Sequence, residues 1–253
     1  MQPQNVNFQQ FQYFPTSVYI ANVPQFTKAV KTVADDSFKR IKKEMKIAKE
    51  QLGVMSYNFH DDPRLAEFSN FVLTAAWDIL KNQGYAMDTM KTIFESMWAQ
   101  EHHQYSLMEQ HVHGFGLQMV GFYFYEVPSP ASRICFYDPR PGKVQISLPE
   151  TDATQATAAS QIVNFTPNYG DIYFTNAWLA HSFSMNMIKK NFKFVHFNIG
   201  CMPIQYVNTM QQGAQPPSFA VNPSGAKTIA TSGISSLGSQ VSGSSLSNQV
   251  EIV

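Results

Sequence analysis

The residues best suited to chemistry are histidines. In the stretch Glu109-Gln-His-Val-His-Gly-Phe-Gly116, His111 and His113 are two positions apart. On an extended strand side chains alternate between faces, so both imidazoles point to one side and can share an ion. A third donor has to come from elsewhere in the chain. His181, in Trp178-Leu-Ala-His-Ser-Phe183, stands at the start of a later strand, after the turn sequence Pro167-Asn-Tyr-Gly-Asp171. Two donors from an early strand and one from a late strand cap one face of an ion and leave open positions for oxygen and a chelating co-substrate, the arrangement of non-haem Fe(II) sites. Glu109, on the same strand face, is an acidic alternative acting directly or through water. His102 and His103 fall in an expected exposed turn. His196 alternates with Asn198 along the last strand, with core packing its expected fate and cavity lining the alternative. Trp98 and Trp178 are expected to pack. No GxSxG, GxxxxGK[ST] or strand-linked GxGxxG occurs, and Cys135 has no activating partner in sequence.

These donors need strands to hold them. After Tyr85 the apolar pattern has period two and comes in short runs separated by Pro, Gly, Asn or Asp. Expected strands are 92–100, 106–113, 118–126, 133–137, 144–148, 161–166, 171–174, 182–188 and 193–201. Many short strands with no intervening helix imply two Greek keys folded into a jelly roll. Ahead of them, 25–52 reads as one or two amphipathic helices ending at Gly53, with Asp35, Asp36 and Ser37 as a cap between them. Asp62-Pro63 starts another helix that Gly84 ends. The fold class is therefore mainly β with N-terminal helices, a cupin-like double-stranded β-helix. The expected organisation is a flexible 1–10, a helical layer over 11–90 that opens with a short strand, a barrel over 91–208, and a flexible Gly/Ser/Gln-rich tail over 209–253. The tail's last residues, Val250 to Val253, are a minor candidate for docking a protein partner.

The chain has 253 residues, with Lys+Arg 18 against Asp+Glu 18. That neutrality excludes a basic clamp on DNA or RNA, which relies on clustered cations. Lys39, Arg40, Lys42, Lys43, Lys46 and Lys49 line one helix face, but Glu44 and Glu50 interrupt them, as on a solvated face. No stretch is apolar for the roughly 20 residues of a membrane span, and no signal peptide is evident. The two cysteines are far apart without metal-type spacing, which suits a reducing cytoplasm.

Taken in order, Trp98, His111-Val-His113, Gly121-Phe-Tyr-Phe-Tyr125, Asp138-Pro-Arg140, Pro167-Asn-Tyr-Gly-Asp171, His181 and Phe197-Asn198 resemble the 2-oxoglutarate/Fe(II)-dependent dioxygenase family found widely in tailed phages, within the prolyl-hydroxylase-like superfamily. The likeness runs from Phe11 to Asn198. It implies Fe(II) on His111, His113 and His181, 2-oxoglutarate chelating the metal and being decarboxylated as O2 is reduced, and hydroxylation of an unidentified substrate in the cytoplasm of a host cell. That substrate is a protein side chain or small molecule in preference to a nucleic acid. Two departures stand out. His113 occupies the place where many relatives carry a carboxylate ligand, and Phe192 falls where an arginine usually pairs with the distal carboxylate of 2-oxoglutarate. Lys193, given a bulge, is the first candidate to replace that arginine and Arg140 the second, with Tyr123 and Asn198 as further co-substrate contacts. The alternatives are a non-catalytic jelly-roll accessory protein and a three-histidine cupin-type dioxygenase that does not use 2-oxoglutarate.

Overall fold

The computed structural model describes residues 14–48, 51–145 and 148–211, together with 220–221 and 227–228. The expectations for 1–10 and for most of the tail lie outside these residues. The chain divides into two units, Met1–Asn208 and Thr209–Val253. In the second, Ala220–Val221 pairs antiparallel with Lys227–Thr228.

In the first unit, β1 (Val18–Asn22) leads to α1 (Thr27–Glu44), β2 (Gly53–Met55) and α2 (Ala66–Asn82). Eight strands follow: β3 (Met90–His102), β4 (Met108–His111), β5 (Leu117–Glu126), β6 (Ile134–Tyr137), β7 (Ile162–Phe165), β8 (Asp171–Asn176), β9 (His181–Phe183) and β10 (Phe192–Pro203). They form a six-stranded sheet in the order β1-β8-β5-β10-β3-β2 and a four-stranded sheet in the order β4-β9-β6-β7. Neighbours run antiparallel and are mostly distant in sequence. This is the jelly roll that the period-two pattern requires.

Alternation along the central strands separates two cores. Val195, Phe197 and Ile199 of β10, with Tyr123 and Tyr125 of β5, pack under the helices. Phe192 and Phe194 of β10, with Phe122 and Phe124 of β5, face the small sheet and meet Ile134, Phe136 and Phe183 there. The helices supply matching stripes, Val30, Val33, Ala34 and Phe38 on α1 and Phe68, Val72, Ala76 and Leu80 on α2. At the start of the second helical segment the Asp62 side chain accepts the Arg64 N–H at 3.0 Å, ahead of a 3-10 turn at Pro63–Leu65. At its end Gly84 takes φ 96°, a left-handed conformation glycine adopts without steric cost.

Several sequence expectations change. The first helix stops at Glu44 because Lys46 turns left-handed at φ 50°, and Gly53 begins a strand instead of ending a helix. Asp35, Asp36 and Ser37 lie inside α1, where Asp35 meets Lys31 and Asp36 meets Arg64. The expected strand 144–148 is preempted by a 3-10 turn at Pro141–Gln145, opened by Pro-Gly. The expected 182–188 shortens to His181–Phe183, since Asn186 turns the chain by donating to the carbonyls of His102 and Lys190. His102, expected in an exposed turn, ends β3 at 4% exposure among Phe183, Phe192 and Phe194. Trp178 is exposed, not packed.

Two measurable consequences follow from this packing. A Cβ on Gly121 would lie 2.3 Å from the Phe197 ring and 2.5 Å from the Tyr173 carbonyl oxygen. Gly121→Ala should therefore lower urea-unfolding stability by about 3 kcal/mol, the upper end for overpacking, and an unchanged midpoint would contradict the packing. Burial, followed by the charge of neighbouring His103, pushes the His102 pKa down to about 4 from the usual 6.5. As pH falls below 6.5 the unfolded chain takes up a proton that folded His102 refuses. Stability is thus full above 6.5 and falls toward pH 4, by at most about 1.4 kcal/mol per pH unit for this one group. Denaturation of His102→Phe across that range should show a shallower acid loss than the parent chain.

Candidate metal centre

The histidine cluster is assembled from both sheets. Strands β4 and β9 pair so that His111 lies opposite His181. His113 sits two residues beyond β4, where its backbone N–H donates to the Ala177 carbonyl at 3.1 Å. From the large sheet His196 of β10 reaches up between Trp98 of β3 and Phe122 of β5, its register partners on either side. One ring nitrogen from each of His111, His113, His181 and His196 lies within 4.8 Å of every other. The structure thus brings together the three histidines expected from the sequence and adds a fourth.

Hydrogen bonds fix the orientation of two of the rings. His111 Nδ1 is 2.8 Å from the Glu109 carbonyl oxygen, and His181 Nδ1 is 2.9 Å from that of Leu179. A carbonyl only accepts, so each Nδ1 carries the proton and each Nε2 presents a lone pair, the usual way a protein prepares an imidazole for metal. His181 Nε2 lies 3.3 Å from His113 Nε2, a spacing that needs a proton or a shared cation between the two nitrogens. Burial, then the neighbouring His111, lowers the His113 pKa to about 4. Burial likewise takes His181 to about 3 against the raising effect of its Leu179 bond, with the other two imidazoles adding to the shift. Neutral imidazoles are the ligating form, and burial keeps His113 and His181 in it at neutral pH. His111 and His113 are half-buried at the open side, whereas His181 and His196 are 0% exposed.

Among the described residues the cluster contains no carboxylate, and the Glu109 side chain is exposed outside it. The remaining candidates are placed elsewhere. Lys193 has the opposite face from His196 and approaches Glu126 at 3.3 Å and Glu101 at 3.9 Å on the helix side. A register shift does occur between Lys193 and Phe194 against β5, but it does not turn Lys193 inward. Tyr123 also faces the helices, where its hydroxyl donates to the Val23 carbonyl at 2.9 Å and meets Thr27. Asn198 is on the His196 face and donates to Ser96 Oγ at 3.0 Å, leaving its buried Oδ1 without a partner. Arg140 is gripped by Asp138 at 2.9 and 2.7 Å and lines a surface cavity of about 600 Å³ with Phe136, Phe165 and Leu179. Among the described residues no lysine or arginine is buried.

Sequence reasoning gave core packing as the expected fate of His196 and cavity lining as the alternative. The available signal was a lone imidazole in the otherwise apolar run Phe194-Val-His-Phe197 of a strand buried on both faces, where each inward polar group needs a partner. Cys135 and Cys201 are both free thiols.

The fold is similar to that of solved proteins. AviO1 from Streptomyces viridochromogenes Tue57 superposes with a TM-score of 0.51 at 10% identity, covering 73% of this chain and 90% of that one. HygX from Streptomyces hygroscopicus, crystallised with nickel and 2-oxoglutarate bound, gives 0.50 at 9% identity over 73% of this chain and 83% of that one. No curated protein matches in sequence. No helix among the described residues is long and apolar enough to cross a membrane. By sequence, residues 96–198, which hold all four clustered histidines, match the family described as "Putative 2OG-Fe(II) oxygenase".

Proposed function

We propose that the chain is a non-haem iron oxygenase of the 2-oxoglutarate-dependent class that hydroxylates a protein side chain or small molecule. The observation that carries this reading is the convergence of His111, His113, His181 and His196 inside the segment that matches the family. An Fe(II) ion held there would activate O2 toward a C–H bond, with two of the four electrons coming from decarboxylation of 2-oxoglutarate to succinate and CO2 and two from the C–H bond itself.

The chain's own residues do the rest. The Glu109 and Leu179 carbonyls hold two imidazoles in the ligating tautomer. Phe122 and Phe136 border His181 at ring separations of 5.2 and 6.4 Å and keep bulk water from it. With His111 and His113 at the less buried side, a substrate would approach from there. Neutral net charge favours a substrate other than a long nucleic acid, and two free thiols favour a reducing, cytoplasmic setting. Docking of a partner by the tail is proposed on its sequence alone.

The donor set fits iron, because neutral imidazoles suit the metal and the second nitrogens of two rings are already tied. The expected anchor for 2-oxoglutarate does not fit in the same way. Lys193 faces the helices, Phe192 is buried among aromatic rings, Arg140 is paired with Asp138 at the cavity it lines, and no lysine or arginine is buried among the described residues. That observation favours, as a second reading, an imidazole-ligated dioxygenase that acts without the dicarboxylate.

Anaerobic titration with Fe(II) should give one iron per chain, and His111→Ala/His181→Ala should lose it with at least about a tenfold weaker affinity. Adding 2-oxoglutarate should then raise a weak visible charge-transfer band and, under O2, release succinate. Metal binding with O2 consumption but no succinate would select the second reading. Absence of metal binding in the parent chain would overturn both.

A further inference from the structure

Resting on the metal site just proposed, we infer that His196 is a fourth protein ligand, so that the ion sits in an all-imidazole set spanning both sheets. Its ring is 0% exposed, and neither Nδ1 nor Nε2 has a hydrogen-bond partner. Buried polar groups are ordinarily paired, and a ring with both nitrogens unpaired is a rare and costly arrangement. Packing gives no reason to keep an imidazole there. The ring stacks on Trp98 at 4.4 Å and 10°, and the edge of Phe122 closes at 4.5 Å, contacts an apolar ring would make equally well. These two aromatics fix the ring's direction, toward His113 at 4.8 Å and His181 at 6.1 Å between ring centroids.

Distances permit the shared ion. Nitrogens bound at about 2.1 Å can be no more than about 4.2 Å apart. The 4.8 Å limit within the cluster therefore closes with a movement of about half an ångström. The fourth imidazole adds a donor without adding charge, and the cluster of described residues contains no carboxylate. The ion then keeps its full positive charge, because every protein donor is neutral. Four protein donors leave two positions on a six-coordinate ion. These accommodate one chelate, or one oxygen species and one substrate atom, but not both sets together. Binding of a chelating co-substrate would therefore compete with O2 unless one histidine is released.

The test uses the full chain stripped of metal and titrated with Co(II), whose visible absorption reports coordination number. The parent chain should bind one Co(II). His196→Phe, which preserves the stack on Trp98, should bind at least about tenfold more weakly, with an altered visible spectrum and an unchanged near-UV circular dichroism. His196→Ala should recover the parent spectrum when free imidazole is added, a rescue that lost packing would not show. Unchanged affinity and spectrum in His196→Phe would overturn the assignment while leaving the three-histidine site standing. No Co(II) uptake by the parent chain would overturn both. If neither variant folds, pulsed EPR of the Cu(II)-loaded parent chain decides by counting coordinated imidazoles, four supporting the assignment and three overturning it.

Discussion

Imidazoles buried in a dry aromatic barrel are the constraint around which this molecule is arranged. Desolvation holds His113 and His181 neutral, and the carbonyls of Glu109 and Leu179 decide which nitrogen is left bare. None of this is local in sequence. His111 and His181 become neighbours because β4 and β9 pair, and His196 joins them because the large sheet packs its aromatic face against the small one.

The helix-covered side is a separate chemical world. Glu101, 3% exposed, would be raised by burial, yet the Lys42 hydrogen bond and the charges of Lys42, Lys193 and His103 hold it below the ordinary carboxylate range. Tyr123 is occupied there with Val23 and Thr27. A single strand, β10, thus carries ionic and apolar residues toward the helices on odd numbers and aromatic and metal-competent residues toward the barrel on even ones. Lys193, the first candidate to hold a dicarboxylate, falls on the helix side of that division.

This division also explains what the sequence could and could not tell. Jelly-roll class, most strands of β3–β10 and the meeting of His111, His113 and His181 were legible, because period-two patterning and HxH spacing are local signals. Which face of a strand turns inward was not. In β5 and β10 both faces are buried, so no polar-apolar contrast marks the inside, and a one-residue shift would exchange every side chain. That ambiguity placed Tyr123 near the co-substrate and made core packing the expected fate of His196, whereas Lys193 was a candidate only through a bulge, and the register shift beside it leaves it with Glu126. The end of α1 at Lys46 and the turn at Pro141–Gln145 depend on backbone geometry and on the absence of a pairing strand, neither of which composition records.

The stack of Trp98 on His196 has an optical consequence. Its indole lies flat against the imidazole, with Nε1 buried and unpaired, whereas Trp77 bonds the Met87 and Met90 carbonyls and Trp178 stands at the surface. A change of charge on that imidazole would thus perturb one chromophore far more than the other two, giving the barrel a built-in fluorescent reporter of what its floor is holding.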